Sequence, residues 1–290
     1  GERTGNADLV SIIANLELKK NQKVLPDQLL RESFRISHAI AEVTNVKPSM
    51  RQPYVGVSAF AHKAGLHASA IKVDPNLYQH EDPASVGNDM RMLVSDMAGR
   101  ASIELKSQEL GVDLGGNKEL VSRIVDRVKE MESRGFTFEA ADASFELLVR
   151  EEIAKKRPSF FNVEHWLTSV ESDANGSIVT KAEVTVAANG ERLVCTGSGN
   201  GPVNAFDTAL RSGLAKLYPE LSALELTDYK VRILEGRLGT GAITRVLVET
   251  SDKEGAWNTV GVHENVIAAS AMALEDALTY GLIRQGRKPQ

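Results

Sequence analysis

The C-terminal half of this sequence repeats itself. Shifted by 64 positions, Gly197 falls on Gly261, Ala205 on Ala269, Ala209 on Ala273, Leu210 on Leu274 and Leu214 on Leu278. Strand-like runs at 161–170, 178–187 and 192–196 precede a helical pattern over 202–217. Runs at 229–234, 242–251 and 257–262 precede a second helical pattern over 266–282. Asn175-Gly176 and Asn189-Gly190 mark hairpin turns, because both dipeptides tolerate positive φ. Such a sequence is tightly constrained. Each βββα copy has one apolar sheet face and one apolar helix stripe to bury, and two copies can bury them about a pseudo-twofold.

The N-terminal half has a helical texture. Leu9, Ile12, Ile13 and Leu16 recur at helical spacing, which predicts a helix over 8–20 with Asn6 near its cap and Lys19 and Lys20 in its last turn. Pro26 is placed to open a second helix. Pro48 and Pro53 then interrupt regularity, and 77–99 reads as irregular. Helices are expected over 101–110, 118–134 and 140–156. The basic run Lys155-Lys156-Arg157 before Pro158 is the expected boundary with the duplicated part, although its simplest meaning is a solvated helix end.

Composition narrows the function classes. The chain has 290 residues, 42% of them hydrophobic, and a net charge of −5, so it carries no electrostatic footprint for nucleic acid. No apolar run approaches the roughly 18 residues of a membrane span. Cys195 is the single cysteine, which excludes an internal disulfide and fits a reducing cytosol.

Candidate chemistry concentrates in 59–70, where His62 and His67 sit among small residues. On one helix they would be about 140° apart, too far for a shared metal. Loop histidines with structural hydrogen bonds compete with a general acid or base at a loop end. Tyr78, beside the turn signal Asp74-Pro75-Asn76, reads alone as a half-buried aromatic. Gly197-Ser198-Gly199-Asn200-Gly201 resembles an anion-cradling loop at a helix start, but it lacks a P-loop lysine. Trp166 and Trp257 read as core or interface anchors.

Together, Gly1-Glu2-Arg3-Thr4-Gly5-Asn6-Ala7-Asp8-Leu9, Phe60-Ala61-His62-Lys63-Ala64-Gly65-Leu66-His67, Gly99-Arg100 and the duplicated module resemble the 2-isopropylmalate synthase, citramalate synthase and homocitrate synthase family. The segments Lys156-Arg157-Pro158-Ser159-Phe160-Phe161 and Arg245-Val246-Leu247-Val248-Glu249-Thr250-Ser251-Asp252 look like the citramalate branch. The resemblance implies an α/β (α+β) chain of three parts: the last turn and helix of a TIM barrel over 1–22, helical linker subdomains over 23–157, and a duplicated βββα amino-acid-binding and dimerisation domain over 158–290.

The implied reaction is a Claisen-type condensation of acetyl-CoA with pyruvate on a divalent metal (Mg, Mn or Zn), placing an acyltransferase in isoleucine biosynthesis. The alternatives are 2-isopropylmalate synthesis in the leucine pathway, or a stand-alone amino-acid sensor. By this resemblance Asn6 is a metal contact, and His67 and Tyr78 are catalytic. Asn200, Gly201, Val203, Asn204, Leu226, Tyr229, Ile233, Thr240 and Ala242 receive the effector, isoleucine or leucine, in a homodimer. Thr4 stands where Cys or Ala is more usual, and Asn204 where an acidic residue is expected. The family's other ligands, an aspartate and a His-x-His pair, have no counterpart among the six histidines. The chain alone is therefore expected to be inactive and to read as a C-terminal fragment.

Overall fold

The computed structural model describes residues 5–44, 46, 49–94, 99–234 and 241–289, leaving aside the side chain of Glu42. The chain divides into two compact units, residues 1–109 and 110–290. The expected features at 1–4, Pro48 and Thr240 lie outside the described residues.

In the first unit, helix α1 (Leu9–Lys20) is capped by Asp8, whose carboxylate accepts from the Ser11 amide at 3.4 Å. The cap is thus Asp8, not Asn6: a carboxylate at the N-terminus also meets the positive end of the helix dipole. Asn21 closes α1 with a left-handed φ of 51°. Pro26 does not open a helix. A 3₁₀ turn, Leu30–Glu32, comes first, and α2 (Ser33–Thr44) follows it. The helix pattern was real, but its first residues are drawn into the tighter turn that buries Leu30 against Tyr54, Val55, Phe60 and Val86.

Within 77–94 the chain is less irregular than its punctuation suggests. Strand β2 (Arg91–Met92) pairs in parallel with β1 (Ala61–His62). A two-residue strand has no periodicity to read. Helices α3 (Gly65–Val73) and α4 (Arg100–Glu109) complete this unit.

The second unit starts with α5 (Lys118–Ser133), capped by Asn117, and α6 (Asp142–Ala154). Two antiparallel three-stranded sheets follow. The first has the order β3 (Phe161–Ser172), β4 (Ile178–Ala188), β5 (Glu191–Gly199) and leads to α7 (Pro202–Leu214). The second has the order β6 (Glu225–Ile233), β7 (Thr244–Asp252), β8 (Gly255–His263) and leads to α8 (Val266–Arg284). The elements keep the spacing of the sequence match: β5 and β8 begin at Glu191 and Gly255, and α7 and α8 begin at Pro202 and Val266, 64 positions apart in each case. Asn189 and Gly190 both take positive φ, 51° and 79°, as a two-residue hairpin loop requires.

One core joins the two sheets and their helices. Val184, Val186, Phe206, Leu210 and Leu214 from the first copy and Val246, Val248, Leu274 and Leu278 from the second belong to the same buried cluster. Each such side chain contributes roughly 1.5–3 kcal/mol by leaving water. Gly197 and Gly261 let each helix lie close on its sheet. A Cβ at Gly261 would stand 1.9 Å from the Ala269 carbonyl oxygen, and one at Gly197 would stand 2.4 Å from the Ala209 amide nitrogen. Asn265 caps α8 by accepting from Ile267 and Ala268 at 2.8 and 3.1 Å. By length and composition α8 could cross a membrane, which the sequence reading did not register. Its leucines are spread among alanines and punctuated by Glu275 and Asp276, and it packs on β7 and β8 as the core helix of this unit.

Candidate functional site

In the first unit, a strand, a helix and a turn converge on three aromatic side chains. The β1–β2 pairing, extended by the Leu93 amide donating to the His62 carbonyl at 2.8 Å, fixes His62 at the end of β1. Ala64 is extended, with ψ 139°, so the chain turns before α3 begins and places His67 in the first turn. Asp74 accepts from the Asn76 amide at 2.9 Å and starts the 3₁₀ turn Pro75–Leu77, which delivers Tyr78. The buried Asn88 side chain donates to the carbonyls of Tyr54 and Gly56 at 2.9 and 3.0 Å, tying the preceding loop down.

The rings of His67 and Tyr78 lie 4.0 Å apart, tilted by 30°. His62 meets His67 edge-on at 6.0 Å. His62 is buried, and its Nε2 has no hydrogen-bond partner among the described residues. Burial first, then the neighbouring imidazoles of His67 and His80, pushes its pKa down, so His62 is neutral at neutral pH. His67 and Tyr78 are more open: Tyr78 is 41% exposed. An imidazole and a phenol side by side on an accessible surface can hold or pass a proton. The five-residue spacing therefore never spans one helix, because the strand-to-helix junction at Ala64 lies between the two histidines.

Asn6 is exposed. Among the described residues no group of three or more His, Cys, Asp or Glu side chains could hold a metal ion. Among the described residues the donors do not make up the several-ligand site that the divalent metal implied by the resemblance would need.

The second unit holds a cavity of ≈ 440 Å³ between the β5–α7 loop and β6. Asn200, Gly201, Val203, Asn204, Leu226 and Tyr229 line it, together with Pro202 and Asp207. Of the other expected residues, Ile233 and Ala242 do not line it; Ile233 sits at the far end of β6 and is exposed. Asn204 is already engaged, since its Oδ1 accepts from the Asn200 amide at 3.2 Å and so shapes the loop. Asp207, which the sequence reading missed, is the acidic residue of this cavity. It holds Arg211 through contacts of 2.8 and 3.0 Å one turn along α7. The signal was present, since position 207 lies one helical turn beyond Val203 and Asn204. Tyr229 braces the far wall with a 2.8 Å hydrogen bond between its hydroxyl and Ser270 on α8.

Two family models match. Residues 54–135 match the homocitrate synthase post-HMGL domain-like model, and residues 139–282 match the LeuA allosteric (dimerisation) domain. The chain is 65% identical over 289 residues to an (R)-citramalate synthase of Streptomyces coelicolor, covering 100% of this chain and 54% of the relative. It is 42% identical over 282 residues to that of Geobacter sulfurreducens, covering 97% and 53%. A 2-isopropylmalate synthase of Dictyoglomus turgidum is 26% identical over 292 residues, covering 99% and 54%. The chain spans about half the length of the curated relatives it matches.

Proposed function

We propose that this chain, which belongs with the citramalate synthases in the 2-isopropylmalate and homocitrate synthase family, brings two things to such an enzyme: a histidine–tyrosine pair for proton transfer and a domain that senses the amino-acid end product. The enzyme condenses acetyl-CoA with pyruvate to citramalate, on the route to isoleucine. A divalent metal would polarise the keto group there, and its ligands would lie mostly outside this chain. His67 moves the proton at the reacting centre or at the water that hydrolyses the thioester, and the Tyr78 hydroxyl works beside it. Residues 1–22 are the last turn and helix of a TIM barrel, 23–157 the linker, and 158–290 an internally duplicated regulatory domain. The exposure of Leu9 and Ile12 on α1 supports an apolar neighbour for that helix.

The regulatory reading rests on the cavity at the start of α7. Loop amides there suit a carboxylate, Asp207 suits an ammonium group, and Val203, Leu226 and Tyr229 suit a branched side chain. The domain is also proposed to form a homodimer. Val231 and Ile233 on β6 share the sheet face that β7 buries with Val246 and Thr244, yet they are 47% and 59% exposed. A second copy would cover them.

Calorimetric titration of the chain with isoleucine and with leucine tests the effector reading. Preferential isoleucine binding is expected, and binding of neither would sink it. A stand-alone amino-acid sensor is the second reading, favoured by the cavity lying wholly within residues 110–290. It predicts the same ligand response without any gain of condensation activity when the rest of an enzyme of the relatives' length is supplied.

A further inference from the structure

A second cavity of the 110–290 unit, ≈ 350 Å³, lies between α5, α6 and α8. Its charged lining is Arg127, Arg134, Glu151, Arg157, Glu275 and Asp276. Five of these six are satisfied within the fold. Arg157 pairs with Asp276 at 2.5 Å and with Glu151 at 3.0 Å. Asp276 also accepts from the Ser144 hydroxyl at 3.1 Å. Arg127 and Arg134 share Glu130, at 2.9 and 3.8 Å. Glu275 alone makes no hydrogen bond or close ion pair among the described residues, feeling Arg157 and Asp276 only through space. The remaining wall is apolar and includes Phe136, Phe138 and Met272.

We propose that this cavity is a ligand site, separate from the loop cavity at α7, for a small primary ammonium compound with a short apolar body, its ammonium group pairing with the Glu275 carboxylate. With Glu130 beside it, the lining sets three arginines against four carboxylates, so its excess charge is negative. The carboxylate without a close ion pair, Glu275, lines a space with room for a branched aliphatic amine. Burial, reinforced by Asp276, pushes the Glu275 pKa up to about 7, against the smaller opposing pull of Arg157. A cation seated beside it lowers that pKa again, so binding near neutral pH releases a proton.

The probe is isobutylamine, with isobutanol and isobutyrate as neutral and anionic controls of similar shape. Each is titrated calorimetrically into the 290-residue chain at pH 7 in buffers of different ionisation enthalpy. The expected result is binding of the amine alone, with a buffer-dependent heat that reports proton release. Glu275→Gln should weaken the amine at least tenfold and abolish the buffer dependence, while its thermal melt shows an intact fold. Asp207→Asn, in the other cavity, should leave the amine affinity unchanged. Equal binding of amine and alcohol, unchanged affinity in Glu275→Gln, loss of affinity in Asp207→Asn, or no binding of the amine each overturns the proposal.

Discussion

The Tyr78 ring lies against His67, tilted, at a centroid distance of 4.0 Å although eleven positions of chain separate them. The contact is held by α3, by the Asp74-capped turn, and by the Lys72–Glu104 ion pair that joins α3 to α4. Because neither ring is deep in a core, their removal should affect chemistry more than folding. In an enzyme of the relatives' full length carrying this segment, His67→Gln should lower kcat by roughly 10²–10⁴, the span of a lost general acid or base. Tyr78→Phe keeps the ring contact and removes only the hydroxyl, so its kcat loss should be smaller. Steady-state kinetics alongside thermal melts checks both. A fall in Tm matching the fall in rate would assign the pair a structural role.

Gly261 should be far less replaceable. An added Cβ meets the backbone oxygen of Ala269 at 1.9 Å, and a backbone oxygen cannot rotate away as a side chain can. Gly261→Ala is expected to cost about 3 kcal/mol or more, at the upper end of overpacking, and to lower Tm by roughly 10 °C. At Gly213, by contrast, the obstacle is the side chain of Cys195. Adding Cys195→Ala to Gly213→Ala should restore part of the loss, and a melt of the double variant reads that directly.

Glu275 should make stability depend on pH. Its folded pKa of about 7 lies above the ordinary glutamate value of 4.5, so its charged form is penalised in the fold. The contribution is fully present below about pH 4.5 and is lost as pH rises through 7. Glu275→Gln should therefore be more stable than the parent at pH 8 by about 1–3 kcal/mol, the advantage vanishing near pH 4. Chemical denaturation at both pH values provides the measurement.

Val203→Ala removes two methyl groups from the cavity at the start of α7. At about 0.8 kcal/mol per buried carbon, isoleucine affinity should fall roughly tenfold, with little change in the melt because Val203 is only partly buried. Calorimetry would report it, and an unchanged affinity would remove Val203 from the effector wall.

Much of the architecture was legible before any coordinates. The 64-position match predicted where the strands of both copies and the helices after them would fall, because a glycine that lets a helix approach a strand must recur wherever that packing recurs. The hairpin dipeptide at Asn189-Gly190 was readable for a local reason: its two left-handed residues admit few side chains. Other features had no local cause. Asp8 rather than Asn6 capped α1, which side-chain geometry decides. β2 is too short for any periodicity and exists only because β1 lies beside it.

The amino-acid sequence by itself determined the βββα copies and the mixed helix-and-sheet class, and its resemblance to a known family singled out His67 and Tyr78. These follow from periodicity, turn chemistry and motif, all properties of neighbours in the chain. Only the tertiary structure decided which residues share a space: Asp207 beside Val203 and Leu226, Tyr78 against His67, and Glu275 left unpaired where three helices meet. Burial and ion pairing depend on side chains that arrive from distant positions, and no spacing along the chain encodes which of them finds a partner.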